Sequence, residues 1–274
     1  MTRKFHFTKA TRQSMTDYVR GKAFASAAAK EDTPRAPLVW AAQTHKGKVR
    51  PTNQDALVVS EAMQVYGVAD GMGGHKGGET ASAGCRDEVL RALEGEKPGL
   101  QALKSAIEAA NAALFHQQEA DESLSGMGTT LSLVWLSDDA AYLAHVGDSR
   151  VYCLRDNELQ QMTDDHSLVA ELVRKGAITA EQAEKHPLRN VITRAVGTET
   201  GIEVDLAVEE RRAGDIWLVC SDGLHGLVSD EEMAKTLREN APAKAAEMLL
   251  QAALDAGGRD NISVVVLQDK EGAR

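Results

Sequence analysis

"VYGVADGMGGHKGG", Val65–Gly78, rises through an apolar run, reaches a lone carboxylate at Asp70 and then places five glycines among the next eight residues. Val65, Tyr66, Val68 and Ala69 form a short run of strand-compatible residues closed by glycine, which predicts a buried strand ending at Ala69. The acid then stands at a strand tip. A glycine after it can take backbone angles closed to other residues and lets a carbonyl or amide approach a ligand with no side chain between. Such a tip suits an ion or a phosphate, but Asp-Gly is also an ordinary turn signal. Neither GxxxxGK[ST] nor GxGxxG can be threaded through Gly71–Gly78, so the meaning of Asp70 depends on the rest of the chain.

The chain has 274 residues, 43% of them hydrophobic, enough for a substantial core in one large or two small domains. Its formal net charge of −10 repels polyanions, which argues against a nucleic-acid partner. The longest uncharged segment, Ser123–Ser137, is too short and too polar to span a bilayer, so no membrane insertion is expected. Cys85, Cys153 and Cys220 are odd in number and widely spaced, and read as reduced core residues of a cytoplasmic protein. Residues 1–37 place basic side chains before a small "AFASAAA" patch. Its apolar stretch is too weak for a targeting segment, and an exposed arm or helix ended by Pro34 and Pro37 is expected.

Beyond the arm, strands are predicted at Leu38–Ala42, Ala56–Val59 and Val65–Ala69, and a helix from near Glu79. A second helix covers Leu100–Gln118, with Leu100, Leu103, Ile107, Ala110, Leu114 and Phe115 on one face. "TTLSLVWL", "AAYLAHVG", "RVYCLRD" and "ELQQMT" (within 129–163) then follow as an antiparallel meander. Ser167–Arg189 is polar and helical, with a capping-box spacing at Thr179 and Gln182 and a stop at Pro187; it interrupts the strands like an inserted flap at about 167–190. "DIWLVCSD" is a strand, two helices follow, the first opened by Ser229 and Glu232, and "NISVVVLQD" closes the domain as a strand. Strands and helices in blocks favour an α+β fold of packed layers over 38–268, with a short tail at 269–274.

Four further acids share the grammar of Asp70. Asp148, Asp222 and Asp260 lie beside turn residues at apolar strand ends, and Asp55 opens a strand. If they converge, two carboxylates about 6 Å apart at an effective dielectric of 20 repel by roughly 3 kcal/mol, so the set would protonate or splay without cations. Carboxylates plus a backbone carbonyl such as that of Gly71 select hard ions, Mg²⁺ or Mn²⁺. The histidines show no HExxH or close pair, and the cysteines no CxxC, so a zinc site is not indicated. His45, His116 and His145 read as structural, whereas His75 and His166 lie near the suspected site.

Taken in order, "RPTNQD" (Arg50–Asp55), "VADGMGGH" (Val68–His75), "GTT" (Gly128–Thr130), "GDSR" (Gly147–Arg150), "DH" (Asp165, His166), "ITRAVG" (Ile192–Gly197), "SDGL" (Ser221–Leu224) and "RDN" (Arg259–Asn261) resemble the metal-dependent serine/threonine protein phosphatases of the PP2C (PPM) family, bacterial type. The resemblance covers about Leu38–Leu267. It implies a four-layer α/β/β/α sandwich in which two central antiparallel sheets are flanked by helix pairs, with a metal cleft at one end. It also implies two Mn²⁺ or Mg²⁺ ions and a third, weaker one. Asp70 matches the bridging ligand, Gly71 a carbonyl ligand, Asp222 and Asp260 further ligands of the first metal, and Asp148 a ligand of the third. Asp55 matches the acid that holds metal-bound water, Arg50 the arginine that grips substrate phosphate, and Asn261 a residue orienting ligands or water.

By the same resemblance, water activated by two metals attacks phosphorus directly, with no covalent enzyme intermediate, and Asp70, Asp222 and Asp260 are the acids on which catalysis depends. The implied partners are phosphoproteins, among them a cognate Ser/Thr kinase, and the implied state is a monomer. Two positions depart from many eukaryotic members, which carry Glu at Gln54 and His at Met72. Met72 cannot donate a proton, which leaves the general acid open among a metal-bound water, ranked first, His75 and His166. Two rivals remain: a catalytically silent relative that binds phosphoproteins, against which all four ligand acids are retained, and a hydrolase of small phosphate compounds.

Overall fold

The computed structural model describes residues 38–270; the N-terminal arm and residues 271–274 lie outside it. Eleven strands occur among the described residues: β1 (Leu38–His45), β2 (Asp55–Ser60), β3 (Val65–Met72), β4 (Gly128–Thr129), β5 (Leu131–Leu136), β6 (Ala140–Val146), β7 (Arg150–Arg155), β8 (Glu158–Gln161), β9 (Asp205–Glu210), β10 (Ile216–Cys220) and β11 (Ile262–Asp269). The helices are α1 (Gly74–Leu93), α2 (Leu100–Ala120), α3 (Leu168–Arg174), α4 (Ala180–Glu184), α5 (Asp222–His225), α6 (Asp230–Glu239) and α7 (Pro242–Asp255). One sheet has the order β1-β11-β10-β7-β8, the other β2-β3-β5-β6-β9 with β4 on β3. Every strand pair is antiparallel.

Side-chain alternation explains the layers. On β10, Trp217 and Val219 enter the core between the sheets, while Ile216, Leu218 and Cys220 face the helices. Strand β11 divides in the same way, Val265 and Leu267 against Ile262, Val264 and Val266. A strand covered on both faces has no polar side to show, which is why both read as continuous apolar runs. Helices α6 and α7 cover the first sheet with Met233, Leu237, Ala245, Leu249 and Ala253. Helices α1 and α2 cover the second with Ala81, Cys85, Val89, Leu103, Ile107 and Leu114. The result is the predicted four-layer α/β/β/α sandwich. The three cysteines are buried in three different cores, and burial pushes each thiol up to about 12.

Several local expectations change. Strand β3 does not stop at Ala69: Asp70 pairs with Asp55 on β2, and Gly71 and Met72 pair with β4, so the acid lies inside a strand. Asp222 likewise opens α5 instead of ending β10. Helix α1 begins at Gly74, five residues earlier than Glu79 suggested, behind Gly73 at φ 118. Ser167–Arg189 breaks into α3 and α4, the latter with a complete capping box between Thr179 and Gln182. Strand β9 carries no sequence expectation, because "DLAVEE" is acidic and only half-buried; it pairs with β6 alone and closes the sheet edge with charge.

Candidate metal centre

The antiparallel connections bring one set of strand ends together. Asp55 opens β2 directly opposite Asp70 on β3, Asp148 sits in the turn between β6 and β7, Asp222 opens α5 after β10, and Asp260 precedes β11. Segments up to about 200 residues apart in sequence thus deliver carboxylates to one place. The electrostatics records the crowding. Burial first, then the charges of Asp55, Asp222, Asp148 and Asp260, hold the Asp70 carboxyl well above the usual carboxylate range. Asp222 is raised by burial and then by Asp148, Asp260 and Asp55. Burial pushes Asp55 up to about 6 despite hydrogen bonds from Ser263 and Ser221, and pushes Asp148 up to about 6 with help from Asp165.

Gly71 serves by what it lacks. A Cβ there would collide with the Gly78 carbonyl oxygen and come within 2.6 Å of the Gln54 carbonyl oxygen. The close approach of three backbone segments, with no positive φ at Gly71 itself, demands the glycine. The Gly71 N–H donates to the Gln54 carbonyl at 3.1 Å.

Beside the acids themselves, other residues of the "GTT", "GDSR" and "SDGL" elements hold the acids from behind. The Asp70 N–H donates to Thr130 Oγ1 and the Thr130 N–H donates back to the Asp70 carbonyl, both at 2.9 Å. With its oxygen so engaged, the Thr130 hydroxyl can give its proton to Ser149 Oγ at 2.8 Å, linking β3 to the turn that carries Asp148. Ser221 donates to Asp55 Oδ2 at 2.9 Å, and His225 Nε2 donates to the Asp148 carbonyl at 2.9 Å. Arg150 grips Asp165 through Nε at 2.8 Å and Nη2 at 2.7 Å.

Arg50, half-exposed, donates to Asp260 Oδ2 at 2.7 Å. Asn261 bonds backbone groups of Lys46, Thr52 and Gln54. His166 is 3% exposed; its Nδ1 accepts from the Gly147 N–H at 3.0 Å, so Nε2 carries the proton and donates to Asp205 at 3.1 Å. That leaves His166 structural. The side chain of His75 lies outside the described residues. His145 is buried, bonded to Ser132 and the Asp164 carbonyl, and structural as expected, with burial lowering it to about 4, while His116 is an exposed surface residue beside Glu119. His45 accepts from the Gly47 N–H.

The residues present suit hard cations. Asp55 Oδ1 and Asp222 Oδ1 are buried with no hydrogen-bond partner, a costly arrangement that a cation would relieve. Among the described residues no group of three His, Cys, Asp or Glu side chains closes on a single ion. An all-oxygen site with so few protein ligands suits ions that keep several of their waters.

The family model described as Protein phosphatase 2C matches residues 43–256. The chain is 43% identical over 234 residues to the serine/threonine protein phosphatase PstP of Mycobacterium tuberculosis, covering 84% of this chain and 44% of that protein. It therefore spans less than half the length of this curated relative. It is 36% identical over 240 residues to the serine/threonine phosphatase stp of Listeria welshimeri, covering 82% of this chain and 94% of the relative. The crystal structure of the PstP catalytic domain in complex with two manganese ions superposes with a TM-score of 0.78 at 40% identity, over 85% of this chain and 99% of that one. With matching motifs, layers and sequence, the chain belongs to the protein phosphatase 2C family.

Proposed function

We propose that this chain is a metal-dependent serine/threonine protein phosphatase that hydrolyses phosphoserine and phosphothreonine by direct attack of water. The observation that carries the reading is the cluster of buried, mutually repelling carboxylates, Asp55, Asp70, Asp148 and Asp222, with two orphaned oxygens among them. Asp70, the Gly71 carbonyl, Asp222 and Asp260 would hold two Mn²⁺ or Mg²⁺ ions, Asp55 would hold water on them, and Asp148 would help hold a third ion. When bound, such cations would lower the pKa of water and neutralise charge on the phosphoryl oxygens. The Arg50 guanidinium binds and orients the phosphate with its planar fork of donors. Thr130, Ser149 and Ser221 keep the acids aimed without reorganisation.

Mn²⁺-dependent release of phosphate from p-nitrophenyl phosphate and from phosphopeptides tests the reading. Activity should vanish on chelation and in Asp222→Asn; a protein inert with Mn²⁺ on both substrates would refute it. Substrates are phosphoproteins, with a cognate Ser/Thr kinase among them, acted on by a cytoplasmic monomer. Among the described residues no helix is long and apolar enough to cross a membrane. The flap at 167–190 carries the exposed apolar Leu188 and would line the approach of protein substrates. Deleting it should slow phosphoprotein turnover at least about tenfold more than turnover of the small chromogenic substrate. Equal losses on both would remove the flap from substrate recognition.

A further inference from the structure

The loop from Lys46 to Gln54 carries Arg50 yet has little apolar anchorage. Val49 is 67% exposed, and Lys48, Arg50, Pro51 and Thr52 are exposed as well. Such a loop takes its position from polar contacts. Asn261, 4% exposed, supplies them: its Oδ1 accepts from the Gln54 N–H at 2.7 Å, and its Nδ2 donates to the carbonyls of Thr52 at 2.9 Å and Lys46 at 3.0 Å. These partners lie at the two ends of the loop, so one amide group closes it. The reverse amide orientation would set N–H against N–H and oxygen against two carbonyls, so the partners fix the assignment.

The resemblance gave Asn261 the task of orienting ligands or water, but both its amide hydrogens are committed to backbone. A second clasp acts on the same loop. The Lys48 N–H donates to the Gly258 carbonyl at 2.7 Å, and Gly47, at φ 79, has no room for a Cβ, which would collide with the Asp260 carbonyl oxygen. The Asn261 backbone N–H meanwhile donates to Asp260 Oδ1 at 2.8 Å, on the carboxylate that Arg50 touches.

We infer that Asn261 is a positioning residue for the substrate phosphate: its side-chain amide fixes the loop 46–54 and, through the loop, the Arg50 guanidinium. The inference rests on the phosphatase reading above. Removing the clamp lets the guanidinium wander from the phosphate while the acids keep their places, so substrate binding suffers before turnover does.

The test uses the full chain with saturating Mn²⁺. Asn261→Ala should raise KM for a phosphopeptide and weaken inhibition by inorganic phosphate, each roughly tenfold. In the same variant kcat and the calorimetric Mn²⁺ affinity should change by less than about threefold. In an Arg50→Ala background, Asn261→Ala should add less than about a twofold effect, because the two residues act as one unit. Asn261→Ser, which shortens the same side chain and removes its amide, should reproduce the KM pattern if Asn261→Ala fails to fold. An undiminished effect of Asn261→Ala without Arg50, a loss of Mn²⁺ affinity in step with KM, or unchanged KM and phosphate inhibition in folded variants would overturn the inference. A wild-type chain without Mn²⁺-dependent activity, or Arg50→Ala with unaltered KM, would instead strike the phosphatase reading or its phosphate grip, and the inference would fall with it.

Discussion

The two ends of the sandwich handle buried charge in opposite ways. At the end where β10 begins and β11 finishes, Arg211 donates to Asp269 through Nε at 2.8 Å and Nη2 at 2.6 Å, the two side chains 6% and 2% exposed. Beside it Arg155 grips Asp215 with bonds of 2.8 and 2.7 Å and also donates to the Glu210 carbonyl. There the acids are matched with bidentate arginines that tie β9, β10 and β11 together. At the end where β10 finishes and β11 begins, Asp55, Asp70, Asp148 and Asp222 are buried mainly against one another. One end neutralises its buried acids with arginines, the other leaves them to the proposed cations, and the same strands connect them.

The largest effect should come from Asp222→Asn at the cation end. Phosphate release should fall by at least about 10³-fold, roughly 4 kcal/mol. Stability of the chelated protein should change by less than about 1 kcal/mol, since the folded state already disfavours that charge. Activity assays and denaturant melts on the same samples check both halves, and a large loss of chelated stability would contradict the contrast.

Asp269→Ala at the opposite end should do the reverse. It removes the bidentate carboxylate from the buried Arg211 and should cost about 3–5 kcal/mol of stability, read by urea titration. The kcat of the folded fraction should stay within about twofold. A kcat loss as large as that of Asp222→Asn would mean that the two ends are not separable.

A smaller effect separates the ends by pH. Acids whose folded pKa is raised to about 6, such as Asp55 and Asp148, contribute stability that is fully present below the unfolded value near 4 and lost as pH rises through 6. His145 and His225, which burial lowers to about 4, act with the opposite sign: their contribution is present above about 6.5 and lost as pH falls toward 4. In chelator the two slopes oppose each other. Saturating Mn²⁺ should hold the acids ionised, leaving the histidine slope exposed, so the gain in melting stability from Mn²⁺ should shrink by about 1–2 kcal/mol between pH 7 and pH 5. A gain independent of pH would show that the acids do not bind the metal.

Local pattern sufficed for much of this. The apolar runs at β5, β10 and β11, the amphipathic face of α2 and the acids flanked by turn residues announce themselves within a few neighbours, because strand and helix periodicity are properties of nearby residues. The eight ordered motifs then pointed to the family and to the acids that meet. What escaped depended on partners remote in sequence. Strand β3 continues past Ala69 because Asp55 on β2 pairs with Asp70 and because β4, more than 50 residues later, pairs with Gly71 and Met72. The edge strand β9 has no strong pattern of its own and is a strand because β6 lies beside it. The close approach expected at Gly71 toward a ligand also occurs toward the backbone of Gly78 and Gln54, which no neighbouring residue announces.

The chain's order of residues therefore determined where most strands and helices form, which acids share the setting beside turn residues, and that a set of acids so placed calls for hard ions. Only tertiary structure decided that Thr130 and Ser149 brace Asp70, that Asn261 closes the loop of Arg50, and that the arginine-matched acids gather at the far end. The physical reason is range: side-chain periodicity is set by the backbone within a few residues, whereas hydrogen bonds and charge pairs have partners only once distant segments have packed.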